Sequence, residues 1–232
     1  MQKKQETTGL VWFGNDLRTH DNEVLFTAIE KHKKVIAVYC IDPKLFQNNS
    51  FNFKKTEVFR SQFLLETLKN LQNQLLKINI TLLVYIDKPE NRIQGICEFY
   101  KIDTIYKQKE WTSEEVNITE SVKDSLPSNI KIEEIYNQFL YHPDDINIAI
   151  QNIPQFFSNL RKKLEKYVDI RSEVQIQKLE EDNFLKEKTP IPSLNDLGFD
   201  TYHQNSKTAF PFKGGETVAL NRLNDYFFET KK

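Results

Sequence analysis

Five short apolar runs, four of them followed by a stretch with helical spacing, constrain this chain more than any other feature. Residues 10–13 (Leu-Val-Trp-Phe) end at Gly14 and read as a buried strand. Residues 35–41 (Val-Ile-Ala-Val-Tyr-Cys-Ile) are nearly continuous in apolar side chains, as a strand covered on both faces must be. Residues 80–86, residues 104–106 and the pair Ile130 and Ile132 mark three more. Between these runs, Asp21 can cap a helix with Leu25, Ala28 and Ile29 on its inner side. Leu64, Leu68, Leu71 and Leu75 share one side of a longer helix, roughly 54–77. Pro89 suits a first helical turn, with Ile93, Ile96, Cys97 and Tyr100 as the stripe behind it. Thr112 and Glu115 have the spacing of a capping box opening a helix to about residue 123. The alternation predicts an α/β fold: a doubly wound five-stranded parallel sheet with helices on both faces. Right-handed crossovers restrict its topology, and ligands are expected beyond the carboxyl ends of the strands.

After Tyr136 the pattern changes. A helix over about 154–167 presents Phe157, Leu160 and Leu164. The stretch 169–215 then holds Pro190, Pro192, Pro211 and three of the six glycines. A compact domain rarely tolerates a structureless loop of that length, so the stretch reads as a linker wrapping across a neighbouring body. A last helix, from 216 to about 230, carries Ala219, Leu220, Leu223 and Phe227 along one side, a face that needs a cover. The expected division is 1–136 as the α/β domain, 137–215 as an extension and interdomain linker, and 216–232 as the start of a helical domain. One helix of that domain is expected here and the rest is expected to be missing.

Charge limits the partners. With 32 basic and 33 acidic residues the formal net charge is −1, whereas a domain that grips a nucleic-acid backbone shows a basic excess. The lysines around 31–34 read as a solvated face. Cys40 and Cys97 make neither a disulfide framework nor a metal motif, and both sit in apolar stretches that suggest core packing. No stretch approaches a membrane span, residues 1–8 are too polar for a signal peptide, and a cytoplasmic location is expected.

The chemistry legible without any likeness is sparse. Gly9 and Gly14 flank the first run, but their spacing fits neither a dinucleotide fingerprint nor a P-loop. Asn15, Asp16 and Arg18 follow that run and either bind a ligand or lock their loop by hydrogen bonds. Glu110 and Trp111 follow the fourth run, where a pocket is expected; Glu114 and Glu115 there suit the helix dipole equally well. His20, His32, His142 and His203 share no metal spacing, and no catalytic motif stands on its own.

Residues 10–18 (Leu-Val-Trp-Phe-Gly-Asn-Asp-Leu-Arg), followed by His20-Asp21-Asn22, resemble the amino-terminal signature of the DNA photolyase and cryptochrome family. Lys55-Thr56-Glu57 and residues 59–66 (Phe-Arg-Ser-Gln-Phe-Leu-Leu-Glu) resemble its DASH-type branch, as do residues 109–115 (Lys-Glu-Trp-Thr-Ser-Glu-Glu) and 140–145 (Leu-Tyr-His-Pro-Asp-Asp). Residues 212–216 (Phe-Lys-Gly-Gly-Glu) with Ala219-Leu220-Asn221-Arg222-Leu223 resemble the family's entry into its helical domain. The likeness runs in order over nearly the whole chain. Two positions depart from it: the family usually carries Arg where this chain has Gly14, and the DASH branch usually carries Gly where this chain has Glu57. Loss of the arginine is expected to loosen its loop or weaken contact with a second domain.

The resemblance implies that FAD, the tryptophans feeding it electrons and the groove for a pyrimidine dimer belong to the helical domain. No catalytic residue and no FAD contact are therefore expected in these 232 residues, and DNA is expected to bind through the missing domain. The α/β domain is expected to help hold an antenna pigment, usually a reduced folate such as methenyltetrahydrofolate. Glu110 is the first candidate contact, because a carboxylate accepts charge-assisted hydrogen bonds from a pterin's amide and amino groups. Phe53 and Lys55 are further candidates; the alternatives are a core role for Phe53 and a solvated first helical turn for Lys55. The implied full-length activity is blue-light-driven repair of cyclobutane dimers, in single-stranded DNA for the DASH branch, or light signalling. A stand-alone nucleotide- or pigment-binding module and an inactive remnant are the competing readings.

Overall fold

The computed structural model describes residues 5–185, 187–200 and 203–230. Residues 1–4 of the polar leading segment, and residues 231 and 232 of the last expected unit, lie outside the described residues. The elements run β1 (Gln5–Trp12), α1 (Glu23–Lys31), β2 (His32–Ile41), α2 (Val58–Lys77), β3 (Leu82–Ile86), α3 (Pro89–Tyr100), β4 (Ile102–Gln108), α4 (Ser113–Ser125) and β5 (Lys131–Ile135). The strands form one five-stranded sheet in the order β3-β2-β1-β4-β5, and every pairing is parallel.

Strand periodicity explains the two layers. Alternate residues of a strand point to opposite faces, so Leu10 and Trp12 enter one core and Val11 and Phe13 the other. In β2, Val35, Ala37 and Ile41 join Val11, together with Leu68, Leu71 and Leu75 of α2. Ile36 and Val38 join Leu10, together with Ile93 and Cys97 of α3 and Val122 of α4. Both faces of β1 and β2 are thus covered, which is why their sequence is apolar at consecutive positions. β1, β2 and β4 outrun their apolar stretches because polar residues such as Thr8 and Lys34 still pair in the ladder.

Three local expectations need correction. Asn22, not Asp21, caps α1: its side chain accepts from the Leu25 N–H, while Asp21 sits in the left-handed region at φ 47°. α2 begins at Val58 rather than near residue 54, because Asn49 holds a turn before it and Asn48 bridges to Lys54. Lys55 is therefore in a loop, not in a first helical turn. The Thr112 and Glu115 capping box does not form; Thr112 occupies the N-cap position without a side-chain bond. One oxygen of Glu115 is instead buried without a hydrogen-bond partner.

The stretch after α5 (Phe157–Tyr167) is irregular but firmly attached, and the body it wraps is the α/β domain itself. α5 buries Leu164 and leaves Phe157 exposed. Beyond it, Leu179 and Leu197 enter the α1/α2 core. Asn183, only 4% exposed, accepts from the Val35 N–H at 2.9 Å and donates to the carbonyls of Val35 and Asn79 at 2.9 and 2.7 Å. The Thr189 hydroxyl accepts from the Val84 N–H on β3, so the strap covers the open edge of the sheet. α6 (Glu216–Asn224) follows and continues as a π-helical turn, Asp225–Glu229. Its Leu220, Leu223 and Phe227 are exposed, the uncovered face that the sequence suggests.

Asn183→Ala is expected to destabilise the fold by roughly 2–4 kcal/mol, since it strands buried backbone groups of Val35 and Asn79. Urea unfolding measures this; a loss below about 0.5 kcal/mol would mean the strap is a passive cover.

Candidate functional site

The chain runs outward from β1 to β2 and β3, then crosses back to place β4 on the other side of β1. Helices leave the sheet in opposite directions at that reversal, which opens a crevice beyond the carboxyl ends of β1 and β4. Here it has a volume of about 550 Å³, enough for a planar cofactor-sized ring system. The loop after β1 gives Gly14 and Asp16, β4 ends in Lys107 and Gln108, and Glu110 follows within two residues. The loop before α2 supplies Lys55 and Thr56, the first turns of α4 supply Glu114 and Glu115, and Gly215, Glu216 and Ala219 of α6 close one side.

Hydrogen bonds fix the loop after β1. Asp16, 2% exposed, accepts from the Gly14 N–H at 2.9 Å and from the Asn137 side-chain amide at 3.3 Å. Asn22 donates to the carbonyls of Asp16 and Arg18. Arg18 donates to the carbonyls of Asp21 and Asn137, and Asn137 also accepts from the first N–H of α1. The locking role thus falls to Asp16 and Arg18, and the loop is tied down with glycine at position 14. Asn137 completes the lock, and nothing in a lone asparagine after β5 signals that role in the sequence. At Glu57, φ is −107°, which any residue adopts, so the backbone does not demand a glycine there.

Glu110 and Lys55 are brought together on the crevice wall; Phe53 is not. Glu110 is half-buried and accepts from the Gln108 side-chain amide at 3.1 Å. Lys55 forms an ion pair with Glu114 across the crevice, joining the loop before α2 to the start of α4. Phe53 is 58% exposed and stacks on Phe51, so it is neither core nor wall. Trp111 stacks on Tyr136 at 5.4 Å, outside the crevice lining. Sequence reasoning passed over Lys107 and Thr56 as wall residues and read Glu115 as a helix-end group. Lys107 is 5% exposed, donates to the Thr119 hydroxyl at 2.8 Å and lies over the Trp12 ring at 5.0 Å. A lysine ending a strand pattern at the expected ligand end is the one signal that marks it. Cys40 also lines the crevice, its thiol pushed up to about 12 by burial, and so serves as packing.

Burial dominates the electrostatics. It lowers the pKa of Lys107 against the opposing pull of Glu134 and Glu110. It raises that of Glu110, opposed by the Gln108 hydrogen bond and the Lys107 charge and reinforced by Glu115 and Asp16. Among the described residues no group of three or more His, Cys, Asp or Glu side chains is placed to hold a metal ion. No described helix is long and apolar enough to cross a membrane.

A carboxyl with a raised folded-state pKa stabilises the fold below the unfolded value and loses that contribution as pH rises through the folded value. Glu110→Gln removes the loss. Its melting temperature relative to the parent is expected to climb as pH rises above about 4 and then to level off. Calorimetry across pH measures this; a difference that stays flat or falls with pH contradicts it.

Residues 9–181 match the family model for DNA photolyase. A cryptochrome DASH of Gloeobacter violaceus is 35% identical over 96% of this chain and 45% of its own length. The chloroplastic/mitochondrial cryptochrome DASH of Arabidopsis thaliana is 31% identical over 99% of this chain and 41% of its own length. The crystal structure of the Synechocystis sp. PCC6803 cryptochrome superposes with a TM-score of 0.86 at 34% identity, over all of this chain and 48% of that one. The chain therefore spans under half the length of these relatives. It belongs to the DNA photolyase and cryptochrome family and corresponds to the amino-terminal α/β domain of its DASH-type members.

Proposed function

We propose that this chain supplies the antenna domain of a DASH-type cryptochrome or photolyase and holds a reduced folate, such as methenyltetrahydrofolate, in the crevice beyond β1 and β4. The observation that carries this reading is the half-buried carboxylate of Glu110 on the crevice wall, with a strand-end cation, Lys107, beside it. A pterin presents an edge of amino and amide donors, and a carboxylate held in place by Gln108 can accept from it. Lys55 closes the opposite lip through Glu114. Phe53, exposed on its loop, contacts a pigment only if the pigment extends past the lip.

In this reading residues 1–136 are the antenna domain, 137–215 are the extension and linker, and 216–232 begin a helical domain that carries FAD. Light gathered at the crevice serves a flavin held outside these residues. The activity of the whole protein is blue-light-driven, FAD-dependent repair of cyclobutane pyrimidine dimers, in single-stranded DNA, or light signalling, with DNA contacted by the helical domain. Two features support the assignment. The exposed Leu220, Leu223 and Phe227 face of α6 suits a helix that packs against more helices. The net charge of −1 leaves DNA binding to other residues. Two cysteines, both free, suit the cytoplasm.

Incubation of the purified chain with methenyltetrahydrofolate, followed by gel filtration and absorption spectroscopy, tests the reading. Near-stoichiometric pigment and no oxidised-flavin bands are expected, with affinity about tenfold or more weaker in Glu110→Ala. Stoichiometric FAD in the chain, or dimer repair by the chain alone, would overturn it.

A further inference from the structure

Gly14 stands in the crevice wall for no reason of backbone or packing. Its φ is not among the positive values, and a Cβ built on it would meet only Glu110 Oε1 at 3.5 Å and Asp16 Oδ1 at 4.0 Å. Those are ordinary contact distances. By contrast, a Cβ on Gly214 would collide with α2 at Phe63 and Thr67. The missing side chain at position 14 therefore leaves space directly against the Glu110 carboxylate.

The same crevice holds an unmet polar demand. Among the described side chains, two buried polar atoms have no hydrogen-bond partner, Thr56 Oγ1 and Glu115 Oε2, and both residues line this crevice. Thr56 is 2% exposed. A buried hydroxyl or carboxylate oxygen without a partner destabilises the fold unless something supplies one. Three charged neighbours are already committed: Asp16 to Gly14 and Asn137, Lys107 to Thr119, and Lys55 to Glu114.

We propose that Gly14 is a specificity-determining residue: it opens an inner subsite beside Glu110, completed by Thr56 and Glu115, for a donor-bearing edge of the ligand. Amino, amide N–H or hydroxyl groups fit there. A phosphate does not, because it would face Glu110, Glu115 and Asp16. The proposal rests on the pigment-binding reading of the crevice and adds that position 14, with Thr56 and Glu115, sets how deep that edge sits beside Glu110.

Equilibrium dialysis with methenyltetrahydrofolate and with flavin mononucleotide, alongside melting temperatures, tests it in the parent, Gly14→Val and Thr56→Val. Gly14→Val is expected to bind the folate about tenfold or more weakly while melting no lower than the parent, since its Cβ meets only ordinary contacts and its methyls project into the open crevice. Thr56→Val is expected to bind it several-fold more weakly yet melt higher, because an unpartnered buried hydroxyl is gone. A purely structural threonine would give a lower melting temperature, which would sink its part in the subsite. Parent-like folate binding by both variants, or flavin mononucleotide binding as tightly as the folate, overturns the inference and leaves the crevice reading intact. A parent chain that takes up no folate overturns both.

Discussion

A small buried polar knot at the end of β1 holds the functional end of this molecule in shape. Asp16, Asn22 and Asn137 bond to one another, and through them the loop after β1, the start of α1 and the exit of β5 become one unit. Burial pushes the Asp16 carboxyl up from its ordinary range, and the hydrogen bonds from Gly14 and Asn22 pull against that rise. Such networks specify one geometry only when each member is satisfied, and here each has partners in hydrogen-bond range. The crevice wall at Gly14 and Asp16 inherits its rigidity from that knot.

The same loop carries the attachment of α6. The Glu216 carboxylate accepts from the Thr19 N–H and hydroxyl and from the His20 N–H. On the other side, Thr217 meets Asn70 and Gln74 of α2, and the Gly214 N–H donates to Glu66. Gly215, at φ 114°, takes a conformation that favours glycine and brings the helix close against Asn70. The first turn of α6 is thus pinned at both flanks while its outer face stays bare. The position of α6 relative to the crevice is therefore set by the α/β domain itself.

Much of this was legible in the chain, because the layers rest on period and burial. The continuous apolar run of residues 35–41 announced a strand covered on both sides, and β2 is one. Pro89 announced a helix start, and α3 begins there. What escaped was set by long-range contact. Asp21 and Asn22 are equally good capping residues by type; the choice of Asn22 follows from its bonds to Asp16 and Arg18 across the loop. The proline-rich stretch after residue 169 shows no periodicity because Asn183 and Thr189 fasten it to strand backbone, and backbone partners leave no trace in sequence. At the site, Glu110 was visible from its place after the fourth strand. Thr56 was not, since nothing local shows that its hydroxyl is shut in without a partner.

Nucleotide-binding crevices of doubly wound sheets are usually built around phosphate, with bare N–H groups at a helix start and glycines that let the backbone approach. This crevice reverses that design. α4 begins with Glu114 and Glu115, so the positive end of its dipole already faces carboxylates of the chain itself. α1, whose start would otherwise be free, is sealed by Asn22 and Asn137. Glu115 asks for a donor where a phosphate would bring only acceptors, while the Thr56 hydroxyl can give or take a hydrogen bond. The missing glycine-rich fingerprint and the carboxylates on the wall point the same way: the fold keeps the crevice of a doubly wound sheet but does not fit it for phosphate.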